Sequence, residues 1–119
     1  MPILVVEDDA RTLGLLSTLL TDAGFTVLAA ESGQRAIDLL ERGTRPRLMI
    51  VDLMLPRVSG ADVLRYAHED SQLRHVPKVV ITGSDRDKHP HIVADAIFTK
   101  PIDPATILQA IKRLAPPPG

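Results

Sequence analysis

Short runs of Val, Ile and Leu recur along this chain with longer segments of helical period between them, and this alternation constrains the fold most. The runs lie at residues 3–6, 27–30, 48–51, 79–81 and, more weakly, 96–98. They are continuous rather than alternating apolar and polar, which is typical of strands buried on both faces of a sheet. Strands alternating with helical segments indicate βαβ units. The pattern therefore predicts an α/β fold with one doubly wound, parallel, five-stranded sheet.

The helical segments carry recognisable start and stop signals. Gly24 and Gly43 can end the first two helices in the left-handed conformation. Ser59 can cap the start of a third helix, and Asp103 followed by Pro104 can start the last one. The apolar positions that we expect to face the sheet are Leu13, Leu16, Leu20, Ala36, Ile37, Leu40, Val63, Leu64, Ala67, Ile107, Leu108, Ile111 and Leu114.

Two segments do not fit regular helices. The connection between the fourth and fifth runs spans residues 84–95 and contains Pro90. Because proline removes an amide donor and clashes with the preceding turn, we expect the fourth helix there to be short or irregular. Residues 116–119 read Pro-Pro-Pro-Gly, which cannot continue a helix. We expect one domain over residues 1–115 and a proline-rich tail or linker over residues 116–119.

Charge and composition exclude several classes of protein. The chain has 14 Lys and Arg against 15 Asp and Glu, without the basic excess that a nucleic-acid-binding domain normally carries on one face. Its apolar runs are far shorter than the roughly 18 residues of a membrane span, and no basic segment precedes the first run as in a signal peptide. The absence of Cys excludes thiol chemistry and Cys-based zinc sites. We expect a cytoplasmic protein that binds neither nucleic acid nor membranes.

Polar side chains follow four of the five runs where the strands are expected to end. Glu7 and Asp8 follow the first run, Asp52 the third, Thr82 the fourth and Lys100 the fifth. In an open parallel sheet, ligands bind outside the carboxyl ends of the strands, where the strand order reverses. If the order is 2-1-3-4-5, the three acids share one crevice. Polar residues at single strand ends are common, but complementary chemistry at four strand ends is improbable by chance.

Three carboxylates in one crevice repel each other unless a cation lies between them. Mg²⁺ suits this set because it prefers one or two carboxylates together with water and phosphate oxygens. Phosphoryl transfer needs such an ion, a positioned nucleophile, a hydroxyl or amide donor and a cationic side chain. Asp52, Thr82 and Lys100 are residue types suited to be the nucleophile, the hydroxyl donor and the cationic side chain, respectively.

Four short motifs occur in order along the chain. They are Val5-Val6-Glu7-Asp8, Asp52-Leu53-Met54-Leu55-Pro56 leading to Gly60, Val80-Ile81-Thr82-Gly83, and Lys100-Pro101. Together they closely resemble the receiver domain of bacterial two-component response regulators, over essentially the whole chain. The resemblance implies a flavodoxin-like sheet of order 2-1-3-4-5 with helices on both faces.

The resemblance also implies a role for each acid. Asp52 is expected to accept a phosphoryl group. Glu7 and Asp8 are expected to be the acidic pair that holds Mg²⁺, with Asp52 as a further ligand. The backbone carbonyl of Met54 would complete the protein ligands.

Two further residues match the family at the ends of the fourth and fifth strands. Thr82 corresponds to the switch hydroxyl, and Lys100 to the lysine that binds a phosphoryl oxygen. The peptide bond between Lys100 and Pro101 is expected to be cis. Ile97 departs from the family, which often has Tyr, Phe or His three residues before the lysine. A relay between a hydroxyl and an aromatic ring is therefore not expected, although Phe98 is the next residue.

The function implied is that of a signalling domain rather than an enzyme with its own substrate. A sensor histidine kinase or a histidine phosphotransfer protein would donate the phosphoryl group in a magnesium-dependent reaction. A downstream effector or output domain would then respond to the conformational switch.

Two alternatives use the same residues differently, and a third kind of site is excluded. A pseudo-receiver would bind partners without phosphorylation; Ile97 and the unusual fourth crossover favour it, whereas the complete set of site residues disfavours it. A phosphohydrolase of the haloacid dehalogenase type also uses an aspartyl nucleophile, but it requires a second Asp where this chain has Met54. Gly33 and Gly60 do not form a phosphate-binding glycine motif, so nucleotide binding by a P-loop is excluded.

Overall fold

The computed structural model describes residues 1–83 and 92–116. The fourth crossover, where we expected a short or irregular helix around Pro90, lies largely outside these residues, as do residues 117–119 of the tail. None of the helices in the described parts has the length and apolar character needed to cross a membrane. The elements are β1 (Ile3–Val6), α1 (Ala10–Asp22), β2 (Val27–Ala30), α2 (Gly33–Glu41), β3 (Leu48–Asp52), α3 (Gly60–Glu69), β4 (Lys78–Thr82), β5 (Ala96–Thr99) and α4 (Pro104–Leu114).

The five strands form one parallel sheet of order β2-β1-β3-β4-β5, which confirms the predicted topology. Strand order reverses between β1 and β3, which lie next to each other at the centre. Val6 of β1 is in register with Val51 of β3, and Asp52 of β3 is in register with Ile81 of β4. The carboxyl ends of these central strands therefore meet at one edge of the sheet.

Helices cover both faces of the sheet, as predicted, because successive strand residues point in opposite directions. Leu4 and Val6 of β1 pack in one cluster with the buried side chains of α2 and α3. Ile3 and Val5 pack in a second cluster with those of α1 and α4. The expectation that all five runs are buried on both faces was wrong for β2 and β5, which are only half-buried because they lie at the two edges.

The predicted helix ends are confirmed. The Ser59 hydroxyl accepts from the Asp62 amide at 3.1 Å, and the Asp62 carboxylate accepts from the Ser59 amide at 3.0 Å, which completes a capping box. Asp103 accepts from the second residue of α4 at 3.3 Å. Gly24 and Gly43 follow α1 and α2 with φ of 96° and 101°, the left-handed values that glycine adopts without strain.

Arg47 fastens the two ends of the described chain together at the amino edge of the sheet. Its backbone amide donates to the Pro2 carbonyl at 2.9 Å. Its guanidinium lies 5.5 Å from the centre of the Phe25 ring and donates to the carbonyl of Pro116, beyond the end of α4. The backbone and side chain of one residue thus join the segments that precede β1 and β2 to the segment that follows α4.

Lys78 is a buried lysine that opens β4, one residue before the predicted strand. Its ammonium donates to the carbonyls of Leu73 at 2.9 Å, Arg74 at 3.3 Å and Val76 at 2.6 Å, in the turn that leads from α3 into β4. Burial lowers the pKa of Lys78, and Asp95 only partly offsets this effect. The lysine therefore holds the turn together by satisfying three backbone carbonyls with one charge.

We expect Lys78→Met to lower the free energy of unfolding by about 1–3 kcal/mol, because methionine fills similar space but removes the ammonium donor from the three carbonyls. The Leu73 carbonyl still accepts from the Val76 amide at 3.0 Å. Urea denaturation followed by circular dichroism measures this. Lys112→Met, at an exposed position of α4, is the matched control and should change stability by less than about 0.5 kcal/mol. Equal stability of the two variants would contradict a structural role for the Lys78 ammonium.

Candidate functional site

Glu7 and Asp52 lie side by side because the strands that precede them are neighbours in register. Val6 pairs with Val51, so the next residue on each strand occupies the same level of the sheet. The Glu7 amide donates to the carbonyl of Ala30 at 3.0 Å, which extends the pairing of β1 with β2 by one residue. Both acids are only 2% exposed. The topology thus places two buried carboxyl groups together.

Lys100 joins these two acids. Its ammonium donates to Oε1 of Glu7 at 2.7 Å and to Oδ2 of Asp52 at 2.8 Å. Its backbone amide donates to the carbonyl of Thr82 at 2.9 Å, which holds the start of the following loop against the end of β4. The peptide bond from Lys100 to Pro101 is cis, as expected. One cation therefore balances two carboxyl groups across the central part of the sheet.

The three charged groups shift each other's pKa. Burial, and then the adjacent Asp52, raise the pKa of Glu7 to about 7, and Lys100 only partly offsets this. Burial by itself would raise the pKa of Asp52, but its interactions with Glu7, Lys100 and the Met54 amide together lower it. Burial would likewise lower the pKa of Lys100, but Asp52 and Glu7 raise it above its usual value. These surroundings therefore favour ionisation of Asp52 over ionisation of Glu7.

The acids also fit a divalent cation. Glu7, Asp8 and Asp52 each offer a carboxylate oxygen, and the three oxygens lie within 4.8 Å of one another. Oε2 of Glu7 is buried and has no hydrogen-bond partner among the described residues. A buried oxygen of this kind costs free energy unless a ligand satisfies it. Two buried carboxyl groups and one exposed carboxylate match the sparse set of oxygen ligands that Mg²⁺ accepts.

The loop after Asp52 is held against it at both ends. The Met54 amide donates to Oδ1 of Asp52 at 2.9 Å, which fixes the orientation of the carboxylate. Gly60, the first residue of α3, lies so close that a Cβ there would be 2.1 Å from the Asp52 carbonyl oxygen. A side chain at Gly60 would push α3 away from the end of β3. Glycine is therefore required there for a close approach of two backbone segments.

Thr82 lies at the carboxyl end of β4, where we expected it. Its side chain is buried, and it is in register with Thr99 at the end of β5. Together with the backbone hydrogen bond from Lys100, this register brings the ends of β4 and β5 to the same edge as the acids. All the residues predicted for the site, including the exposed Met54, thus lie at the carboxyl edge of the sheet.

Ile97 and Phe98 face opposite layers of the domain. Ile97 packs against the cluster beneath α2 and α3, whereas Phe98 packs against the cluster beneath α1 and α4. Phe98 therefore does not place a ring on the face where Ile97 lies.

Sequence reasoning missed two features of the site. It did not find the contact between Lys100 and Glu7, because it assigned Glu7 to Mg²⁺ and Lys100 to a phosphoryl oxygen. It also placed Gly60 in the motif that begins at Asp52, and rejected it as a phosphate-loop glycine, without predicting its close approach to the Asp52 backbone. A glycine that starts a helix without a left-handed φ indicates a close approach, but the φ of Gly60 is known only from the structure.

Comparison with known proteins places these features in one family. Residues 3–112 match the family model of the response regulator receiver domain. The polar-differentiation response regulator DivK of Brucella anthropi is 30% identical over 114 residues, which cover 92% of each chain. The signal receiver domain of a signal transduction histidine kinase from Syntrophus aciditrophicus is 30% identical, with a TM-score of 0.88 over 96% of this chain and 89% of that one. A response regulator receiver protein from Sinorhizobium medicae is 31% identical, with a TM-score of 0.85 over 97% and 94%.

Because Lys100 binds the same two carboxyl groups that a divalent cation would use, we expect the ammonium and the cation to compete. We expect Lys100→Met to tighten Mg²⁺ binding by about tenfold, which corresponds to about 1.4 kcal/mol. The variant should also unfold more easily than the wild type without Mg²⁺, because two buried carboxyl groups lose their cation. Isothermal titration and thermal melts test both effects, with Lys112→Met as the control. Unchanged Mg²⁺ affinity in Lys100→Met would show that the two cations do not compete.

Proposed function

Because the chain belongs to the response regulator receiver domain family, we propose that it accepts a phosphoryl group on Asp52. The main support is the state of that side chain. Asp52 is buried at the end of β3, its two oxygens are bound separately by the Met54 amide and by Lys100, and its pKa is lowered. A carboxylate that is ionised and held in one orientation is suited to act as a nucleophile.

The proposed reaction is a transfer between two nucleophiles. An oxygen of the Asp52 carboxylate attacks the phosphorus of a phosphohistidine on the partner. The P–N bond breaks, its electron pair leaves with the imidazole nitrogen, and an aspartyl phosphate is formed. A small phosphodonor such as acetyl phosphate would react in the same way, with cleavage of its P–O bond. Most of the rate enhancement would come from positioning and charge stabilisation within this domain.

Each neighbouring residue has a proposed part in this reaction. Glu7, Asp8 and Asp52 would hold Mg²⁺ together with the backbone carbonyl of Met54. Bound there, the ion would stabilise the negative charge on the transferring group. The Lys100 ammonium would bind an oxygen of the transferred phosphoryl group.

Thr82 would report the new charge to the rest of the domain. In this proposal its hydroxyl donates to another phosphoryl oxygen, so that the backbone after β4 is drawn toward Asp52. Gly83 follows immediately and lets the backbone move without a Cβ penalty. Because Ile97 has neither a ring nor a hydroxyl, the change would stay in the backbone rather than pass through an aromatic side chain.

The proposed partners follow from the family. The donor would be a sensor histidine kinase or a histidine phosphotransfer protein in the cytoplasm, and the recipient of the signal would be an effector or an output domain. The names of the relatives, a polar-differentiation response regulator and the receiver domain of a histidine kinase, support a place in two-component signalling.

We expect Asp52→Asn to abolish phosphoryl uptake, because the amide has no nucleophilic carboxylate oxygen. Mass spectrometry after incubation with acetyl phosphate, with and without Mg²⁺, measures the gain of one phosphoryl group. Asp22→Asn, an exposed acid at the end of α1, is the control and should label like the wild type. Labelling of Asp52→Asn at a single site would overturn the assignment. A wild type that takes up no phosphoryl group would leave a pseudo-receiver that signals by binding alone.

Mg²⁺ should raise the melting temperature of the wild type, because the unfolded chain offers no assembled site. The stabilisation follows RT ln(1 + [Mg²⁺]/Kd), or about 2.7 kcal/mol at one hundred times Kd. We expect Asp8→Ala to remove most of this shift and Asp22→Ala to retain it. No stabilisation of the wild type at tens of millimolar Mg²⁺ would exclude the acidic cluster as a metal site.

A further inference from the structure

Gly33, the first residue of α2, touches the loop that leads from Asp52 to α3. A Cβ at Gly33 would lie 2.2 Å from the carbonyl oxygen of Val58 and 2.9 Å from its Cγ1, whereas real Cβ atoms essentially never come within 3.0 Å. The φ of Gly33 is not in the left-handed region that favours glycine. The glycine is therefore needed for contact with the loop rather than for its backbone conformation.

We propose that Gly33 is a positioning residue for the acceptor site. By letting α2 press against the loop of residues 53–59, it holds in place the loop that carries Met54. This inference rests on the proposed function, because Met54 matters for the site through its amide bond to Asp52 and through the carbonyl assigned to Mg²⁺.

A side chain at position 33 would displace the loop rather than the helix. The start of α2 is fixed because Ser32 accepts from the Arg35 amide at 3.0 Å, and one turn later Ala36 is fully buried. The middle of the loop is less well fixed than its two ends. Pro56 and Arg57 are exposed, and Val58 is only half-buried. The loop is thus the element with the smaller resistance to movement.

Displacement of Val58 would affect the Asp52 side chain through Met54, near the start of the loop. At the end of the loop, Gly60 already lies in contact with the Asp52 carbonyl. The loop therefore cannot move toward α3 without separating α3 from β3. Near the start of the loop, the hydrogen bond from the Met54 amide to Oδ1 of Asp52 joins the loop to the carboxylate. A shift of the loop would therefore change the position of Met54 and the orientation of the acceptor.

The test compares Gly33→Ala with Gly14→Ala. Gly14 lies in α1, is exposed, and a Cβ there would meet nothing within 4 Å, so this variant adds the same methyl group without a clash. We expect Gly33→Ala to weaken Mg²⁺ binding and to slow phosphoryl uptake from acetyl phosphate, each by about tenfold or more. Amide hydrogen exchange at Met54 should become faster in this variant. Gly14→Ala should match the wild type within about twofold in all three measurements.

The outcomes separate this inference from the proposed function. Wild-type values of Mg²⁺ affinity and Met54 exchange in Gly33→Ala, measured well below its melting temperature, would overturn the positioning role even if the variant is less stable. A wild type that binds Mg²⁺ but takes up no phosphoryl group would instead overturn the proposed function. The Met54 exchange rate would still decide the role of Gly33.

A measurement on the wild type covers the case in which Gly33→Ala does not fold. Coupling between two sites is reciprocal, so Mg²⁺ binding should act on Gly33 through the same contact. In a magnesium titration followed by NMR, we expect the amide resonance of Gly33 to move, while that of Gly43, beyond the other end of α2, stays in place. A stationary Gly33 resonance would overturn the inference.

Discussion

Two carboxyl groups buried side by side need a cation, and in this protein the ammonium of Lys100 supplies it. The parallel register of β1 and β3 forces Glu7 and Asp52 together at the centre of the sheet. Lys100 begins the loop after β5, yet it reaches both acids. This contact joins the end of an edge strand to the ends of the two central strands. The rest of the site, including the orientation of Asp52, depends on that balance of charge.

The same balance explains how one site can exist in several charge states. Without a divalent cation, Lys100 holds the acids, and the pKa of Glu7 near 7 allows one proton to remain on the pair. A bound Mg²⁺ would take over part of this role and free the ammonium for a phosphoryl oxygen. In the proposed reaction the lysine would therefore act as a movable positive charge. It stabilises the domain before the reaction and would stabilise the product after it.

Most of the fold could be predicted from the sequence, because strand runs, caps such as Ser59 and stop signals such as Gly24 depend on local pattern. The acids could be placed together because the carboxyl ends of neighbouring parallel strands lie at the same edge of the sheet. The half-burial of β2 and β5 could not be predicted from their composition, because it depends on their place at the sheet edges. The contact between Lys100 and Glu7 joins residues 93 positions apart, and the role of Gly33 depends on how closely α2 meets a loop.

Arg47 has a consequence for the geometry of assembly. It fastens the segments near Pro2 and Pro116 to the amino edge of the sheet, whereas the acids lie at the carboxyl edge. Both ends of the described chain therefore leave the domain on the side remote from Asp52. A fluorophore, an affinity tether or a fused protein attached at either end would lie at the amino edge of the sheet, away from Asp52. A partner that delivers a phosphoryl group could then approach the open edge without meeting it.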